Sequence, residues 1–156
     1  MPASGRQAGP IVVCGAGAAG MAAAIAAARD GNLVWLVESR EATGGTVAHS
    51  LIHTLGGLFD ADGAVINGGL AAELVERLKA ADARVSRRRI GCTWVLDVSP
   101  DLYAQVTRSW IAACPGIRLV RGARITAVAV CDGRVEQAVL RQGNVSRKLH
   151  PLAMID

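Results

Sequence analysis

A glycine-rich turn between two short apolar runs is the feature that most constrains the fold. Ile11–Cys14 are apolar, the run GAGAAG follows directly at 15–20, and an alanine-rich stretch occupies residues 21–29. A second apolar run, 33–37, comes after a short polar break. This order predicts a strand, a tight turn, a helix and a second strand within about thirty residues. The two strands should be parallel because a right-handed crossover joins them.

The spacing of the glycines predicts a dinucleotide-binding turn. Gly15 permits the tight turn, Gly17 lets the backbone approach a pyrophosphate, and Gly20 lets the helix lie close to the strand. The unpaired amides at the start of the predicted helix can bind an anion without a basic side chain, and Ala18 and Ala19, within the turn just before it, are predicted cofactor contacts. The pattern by itself is weak in a glycine-rich chain, so its context decides.

Glu38 closes the second predicted strand, eighteen positions beyond Gly20. Its carboxylate can accept both hydroxyls of an adenosine ribose, with Ser39 beside it in the same predicted contact. The alternative is a packing helix followed by an exposed acid, which the agreement of strand, glycines, helix and acid makes the weaker interpretation. Because Glu38 would repel a 2′-phosphate, NADP is disfavoured. NAD and FAD both remain open on these residues.

The rest of the chain predicts an α/β fold with a parallel sheet and an antiparallel meander. Residues 39–67 are loop-rich, and helices are expected over 69–81 and 101–113. Asp132-Gly133 suits a type I′ turn in a hairpin. The remaining strands are predicted at 117–120, 125–130, 135–140, 145–149 and 152–156.

Composition places the chain among globular proteins. Its 156 residues fit one domain, predicted over 11–156 after a flexible N-terminus at 1–10, and 51% hydrophobic with 19% charged residues excludes a disordered tail. The net charge is +4, but only Arg87, Arg88 and Arg89 cluster, with Arg84 nearby. We interpret the cluster as a solvated face or subunit contact, and expect no nucleic-acid partner because no aromatic platform accompanies it.

The four cysteines show no CxxC or Cys/His ligand pattern. They predict reduced thiols and a cytoplasmic location, with Cys14 as buried filler in the first strand. No apolar stretch predicts a membrane span.

Two weaker patterns offer alternatives. His49 and His53 are four apart, which on a helix would place both imidazoles on one face, but no third metal ligand is evident. We expect loop histidines, and among functional roles substrate-side proton handling outranks metal binding. Asp60 and Asp62 before Gly63 resemble a calcium loop only faintly, so a plain turn is favoured.

The sequence resembles the two-dinucleotide-binding-domain flavoproteins, and more narrowly the FAD-dependent oxidoreductase family, in which the ribose acid is soon followed by Gly-Gly-Thr. The resemblance runs nearly the whole chain. The segments that carry it are Ile11 to Gly20, Val37-Glu38, Thr43-Gly44-Gly45-Thr46, Gly56-Gly57-Leu58-Phe59 and Gly68-Gly69-Leu70.

The resemblance implies FAD as the cofactor, with Gly44, Gly45 and Thr46 on its flavin side, a segment that has no task in a plain NAD domain. It also implies two-electron (hydride) chemistry on a small-molecule substrate. In the family, the strand corresponding to residues 154–156 continues into a second cofactor turn and a substrate-binding region. We therefore expect the chain to be a fragment, or a second chain to complete the enzyme. The alternatives are a non-catalytic flavin-binding or assembly subunit, and an NAD-binding domain.

Overall fold

The computed structural model describes residues 9–50 and 52–156. Residues 1–8 of the expected flexible N-terminus lie outside the described part of the chain. In chain order the elements are β1 (Ile11–Cys14), α1 (Ala18–Arg29), β2 (Val34–Val37), α2 (Gly45–His49), β3 (Thr54–Leu55), α3 (Leu70–Ala81), β4 (Ser86–Ile90), β5 (Thr93–Asp97), α4 (Pro100–Ala112), β6 (Ile117–Val120), β7 (Ala123–Cys131), β8 (Arg134–Gln142), β9 (Val145–Leu149) and β10 (Ala153–Ile155).

The chain forms two compact units. The first comprises residues up to Thr43 together with Ile111–Asp156, and the second is Gly44–Trp110.

A parallel sheet in the order β10-β1-β2-β6 organises the first unit. Each neighbouring pair is parallel, which confirms the prediction from the strand–turn–helix–strand pattern. The strands at 11–14 and 117–120 have the predicted bounds, whereas β2 begins one residue later than expected, at Val34. Short apolar runs form these strands because both of their faces are covered.

Helix α1 contacts β1, β2 and β6 and buries Met21, Ala24 and Ile25. It begins at Ala18, three residues before the predicted start, because the helical hydrogen bond from Met21 N to Gly17 O already closes the first turn. Alanine content marks a good helix former, but it does not distinguish the turn from the first helical residues.

The antiparallel meander β7-β8-β9 packs on one face of the parallel sheet. Its buried residues, Ala138, Leu140 and Leu149, form a core with Val12 and Val37 of the sheet. Successive strand residues point to opposite faces, so α1 covers the face opposite Val12. In the β7–β8 turn Asp132 and Gly133 have φ values of 49° and 74°. Positive φ at both positions confirms the predicted type I′ turn.

The second unit contains the antiparallel sheet β3-β5-β4. Its core combines Leu96 of β5 with Val75 and Leu78 of α3 and with Tyr103 and Val106 of α4. Helix α3 begins one residue later than predicted, and α4 both begins and ends one residue earlier than predicted.

Two parts of the second unit differ from the sequence prediction. The stretch at 39–67, predicted as loop, contains α2, β3 and an isolated bridge between Phe59 and Val65. The β4–β5 hairpin was not predicted at all. Every residue of β4 is exposed, so it has no apolar alternation, and its pairing with β5 defines it as a strand. Arg87, Arg88 and Arg89 lie on this exposed strand, which fits the interpretation as a solvated face.

Candidate functional site

The glycine turn ends β1 and begins α1 in the first unit. Gly15 has a φ of 88°, a conformation that L side chains rarely adopt, and its N–H donates to Val37 O at 2.7 Å. Gly17 is the N-cap of α1 and supplies no side-chain hydrogen bond, and the first turn holds no acidic residue. Ala18 and Ala19 are exposed. The amides of the first helical turn, at the positive end of the helix dipole, are therefore left for an anion.

Gly20 lies where α1 passes the turn. A Cβ built on Gly20 would overlap Gly15 O and lie 3.5 Å from Val13 Cγ1. The helix approaches the backbone so closely that only glycine fits, which is the task the spacing predicts for the third glycine.

Glu38 follows β2 and is 7% exposed. Its main chain extends the sheet, since its N–H donates to Val120 O at 2.8 Å and its carbonyl accepts from Ala123 N at 3.0 Å. One carboxylate oxygen, Oε2, accepts from Ala16 N at 2.7 Å. The carboxylate is thus held directly against the glycine turn, although Ala16 is 22 residues away in sequence.

The other carboxylate oxygen of Glu38, Oε1, accepts from Arg40 N at 2.9 Å and from Ser39 Oγ at 3.2 Å. Burial alone would raise the pKa of Glu38, but the hydrogen bonds from the backbone of Arg40 and Ala16, with that of Ser39, hold the pKa below its ordinary value. The group is therefore an anion at neutral pH. A carboxylate offers about four acceptor positions, so room for a further hydroxyl donor remains, chiefly at Oε2.

Two backbone contacts of this site were not identified from the sequence. The N–H groups of Ala16 and Arg40 both bond to Glu38. Ala16 stands between two glycines of the turn, and that position is the only sequence signal that could have indicated its contact.

Gly44, Gly45 and Thr46 lie at the start of the second unit. Gly44 is the N-cap of α2 with a φ of 107°, and Gly45 has a φ of 54°. A Cβ on Gly44 would lie 2.7 Å from Ala48 Cβ. Thr46 is exposed. The two glycines are required for the backbone path by which the chain enters α2.

His49 and His53 do not share a helix face, because α2 ends at His49. His53 is exposed and lines an open cleft of about 410 Å³ in the second unit with Arg88 and Asp97. The Arg88 guanidinium binds Asp97 through two hydrogen bonds, of 2.6 and 3.0 Å. This contact lowers the pKa of the Asp97 carboxyl, and the charge of His53 makes a smaller contribution in the same direction. Within residues 9–50 and 52–156, no cluster of three metal-binding side chains occurs.

The other predicted features have structural explanations. Asp60 Oδ1 accepts from the N–H groups of Asp62 and Ala64 at 3.0 and 2.8 Å, which confirms a plain turn. The four cysteines form no disulfide. Cys14 is half-buried, and burial together with the charge of Asp156 raises the pKa of its thiol.

Among the helices in the described residues, none is both long and apolar enough to cross a membrane.

The fold is similar to that of several solved structures. THI4 of Thermovibrio ammonificans has a TM-score of 0.65 at 14% identity, covering 95% of this chain and 56% of its own. The p-nitrophenol 4-monooxygenase PnpA of Pseudomonas putida DLL-E4 has a TM-score of 0.64 at 12% identity, and the match covers 94% of this chain and 40% of PnpA. The 3-ketosteroid-delta4-(5alpha)-dehydrogenase of Rhodococcus jostii RHA1 has a TM-score of 0.60 at 17% identity, and the match covers 92% of this chain and 44% of the dehydrogenase. The chain thus spans about half of each of these proteins.

No curated protein matches the sequence significantly. The model of the family described as FAD dependent oxidoreductase, however, matches residues 10–156. That match covers the glycine turn and the buried carboxylate beside it, and it decides between NAD and FAD. The chain belongs to the FAD dependent oxidoreductase family, and its cofactor is FAD.

Proposed function

We propose that this chain is the FAD-binding portion of a flavin-dependent oxidoreductase that carries out two-electron, hydride-transfer chemistry on a small molecule. The observation that carries the proposal is the Glu38 carboxylate, buried and bonded to Ala16 N at 2.7 Å within the glycine turn. This hydrogen bond joins the proposed ribose acceptor to the proposed anion-binding helix N-terminus in one site.

The pyrophosphate of FAD is assigned to the turn formed by Gly15, Gly17 and Gly20. The exposed first residues of α1, Ala18 and Ala19, present the amides that donate to its oxygens. No basic side chain is needed, because the helix dipole and the uncapped amides favour the negative charge.

The adenosine ribose is assigned to Glu38, with Ser39 beside it. The ribose hydroxyls donate to the remaining acceptor positions of the carboxylate, and the Ser39 hydroxyl can rotate to bond elsewhere. The low pKa of Glu38, held down against burial by backbone hydrogen bonds, keeps it an acceptor at neutral pH.

The assignment of Gly44, Gly45 and Thr46 to the flavin side stays a prediction from the resemblance. Its support is the positive φ of both glycines, which brings bare backbone to the start of α2. FAD supplies the hydride-accepting ring, and the protein supplies binding, orientation and electrostatics. Proton handling by His49 or His53, and the cytoplasmic location, likewise stay predictions.

The test is FAD binding by the purified chain and two Glu38 variants. Glu38→Ala should weaken binding by about 1–3 kcal/mol through the lost ribose contacts. Glu38→Gln keeps an acceptor for Ala16 N and should lose less. Asp30→Ala is the matched control, because it removes the same charge from an exposed position at the other end of α1 and should bind FAD normally. A chain that carries no flavin absorption and gains none with added FAD would contradict the proposal, as would unchanged affinity in Glu38→Ala.

We further propose that the substrate-binding part of the enzyme lies outside these 156 residues, either in a continuation of the same polypeptide or in a second chain. The support is that solved proteins of similar fold are about twice as long as this chain. Native mass spectrometry of the enzyme purified from its natural source should show either a longer polypeptide or a second, co-eluting chain. Turnover of candidate amines, hydroxy acids or thiols by the isolated FAD-loaded chain would contradict this proposal. If the complete complex holds FAD that no substrate reduces, the alternative role as a flavin-binding or assembly subunit is favoured.

A further inference from the structure

A second pocket lies in the first unit, between the parallel sheet and the meander. It has a volume of about 290 Å³. Trp35 of β2 and Arg118 of β6 are directly paired in the sheet register, so they share one face. On the meander, Leu140 is paired with Arg147, and both line the same pocket. We name this feature the Trp35–Arg118 pocket.

The Trp35–Arg118 pocket carries positive charge without a compensating acid. Arg118 and Arg147 line it, and no aspartate or glutamate does. Among the described residues neither arginine forms an ion pair. The arginines of the cleft beside His53 differ, since Arg84 and Arg88 are bound to carboxylates at 2.7 and 2.6 Å. The two cations of the pocket are therefore available to an external anion.

Arg118 is positioned by a contact with an aromatic ring, which does not occupy its hydrogen-bond donors. Its guanidinium carbon lies 4.5 Å from the centroid of the Trp35 ring. Stacking of this kind orients the planar group and leaves its N–H donors in the plane, where they match the two oxygens of a carboxylate. A preoriented guanidinium loses less side-chain entropy when it binds.

The remaining walls are mainly apolar. Val120, Leu140 and Val145 line the pocket, and Gln142 is fixed by the hydrogen bond from its Nε2 to Arg121 O at 2.8 Å. The volume of about 290 Å³ is just below the usual range for ligand pockets, about 300–1,000 Å³, so only a small molecule fits. A small ligand with an apolar body and one anionic end fits this combination.

We propose that the Trp35–Arg118 pocket binds a small organic carboxylate, with its anionic end on Arg118 and Arg147 and its apolar body against Val120, Leu140 and Val145. The site is built from sheet residues and does not involve the glycine turn or Glu38. The proposal for this pocket therefore does not depend on the assignment of the FAD site.

The probe is benzoate, titrated into the full chain by calorimetry, with benzamide as the neutral analogue and inorganic phosphate as the anion without an apolar body. Benzoate should bind saturably and more tightly than either. Arg118→Ala and Arg147→Ala should each weaken it about tenfold or more, since each removes a charged hydrogen bond. Arg118→Lys keeps the charge but not the planar fork, and should fall between wild type and Arg118→Ala.

Lys148→Ala is the matched control. Lys148 neighbours Arg147 on β9 and is paired with Val139, so it projects from the opposite face and should leave benzoate binding unchanged. Unaltered FAD binding and melting temperature would show that each variant is folded. No saturable benzoate binding, equal binding by the Arg118 and Arg147 variants and wild type, or an equal loss in Lys148→Ala would each overturn the proposal. The last outcome would mean a diffuse charge effect.

Discussion

Glu38 combines two tasks in one geometry. In the proposed function its carboxylate receives the ribose hydroxyls, and the same carboxylate accepts the Ala16 N–H and so connects the end of β2 to the glycine turn. The pKa of Glu38 is below its ordinary value, because the backbone hydrogen bonds that lower it outweigh the burial that raises it. Changes at Glu38 should therefore affect both the cofactor and the stability of the empty chain.

The first prediction concerns acid. Because the folded pKa of Glu38 lies below the ordinary value of 4.5, the unfolded chain takes up this proton first as the pH falls. The stability contributed by Glu38 should be complete above pH 4.5 and lost as the pH falls through the folded pKa. Urea unfolding at a series of pH values should show the difference in unfolding free energy between wild type and Glu38→Gln shrinking below that pH. A difference that does not change with pH would contradict the pKa assignment.

The second prediction concerns Gly20. On an open helix surface, alanine would be more stable than glycine by about 1 kcal/mol. Here the added Cβ meets Gly15 O, so Gly20→Ala should destabilise the fold by about 1–3 kcal/mol and displace the turn to which the pyrophosphate is assigned in the proposed function. Denaturant unfolding and FAD titration measure the two effects. Gly68 is exposed, and a Cβ added to it would meet no other atom within 4 Å. Gly68→Ala should therefore change neither the stability nor FAD binding. A Gly20→Ala variant as stable as wild type would show that the helix can move away.

Among the elements, the β4–β5 hairpin of the second unit carries the basic cluster, and two of its arginines make contacts that stabilise the hairpin and a nearby turn. The Trp94 ring contacts two arginines of β4, with the guanidinium carbons of Arg87 and Arg89 at 5.2 and 6.0 Å from its centroid. Its indole N–H donates to Ala61 O at 3.0 Å, and Arg87 Nη1 donates to Gly63 O. The hairpin thereby holds the turn at 60–63.

The third prediction follows from these contacts. Trp94→Ala should release that turn, and hydrogen exchange of its amides should become faster. Trp94→Phe keeps an aromatic ring for the arginines but loses the donor to Ala61 O, a loss of about 0.5–1.5 kcal/mol, and should give an intermediate effect. Exchange in the meander of the first unit is the internal reference and should not change. Equal exchange at 60–63 in all three proteins would contradict this account.

For the whole molecule, cofactor binding and stability are linked by mass action. A ligand that binds only the folded chain stabilises it by about 2.7 kcal/mol at one hundred times its dissociation constant. The assigned ribose and pyrophosphate contacts lie in the first unit, so the gain should appear there.

The fourth prediction is that saturating FAD raises the melting temperature and slows hydrogen exchange in β1 and α1. Glu38→Ala should show a smaller gain at the same FAD concentration, because its affinity is lower. Asp30→Ala serves again as the charge-matched control and should behave as wild type. No FAD-dependent protection in β1 or α1 would argue against the assigned site.

Much of the first unit is predictable because its signals are local. The strand at 11–14, the helix after it, the Asp132-Gly133 turn and the strands at 117–120 and 145–149 depend on apolar runs, glycine spacing and turn residues only a few positions apart. The second unit is harder to predict. Strand β3 has two residues and β4 has no apolar alternation, so both depend on pairing with β5.

The sequence by itself determined a dinucleotide-binding turn, and the resemblance it carries led to FAD, because glycine spacing and a carboxylate after a strand are encoded within a short stretch. Only the tertiary structure decided that Glu38 is bonded to Ala16 and that Trp35 and Arg118 share a pocket with the meander. Those contacts join residues far apart in the chain. They arise from strand register and burial, which no local pattern specifies.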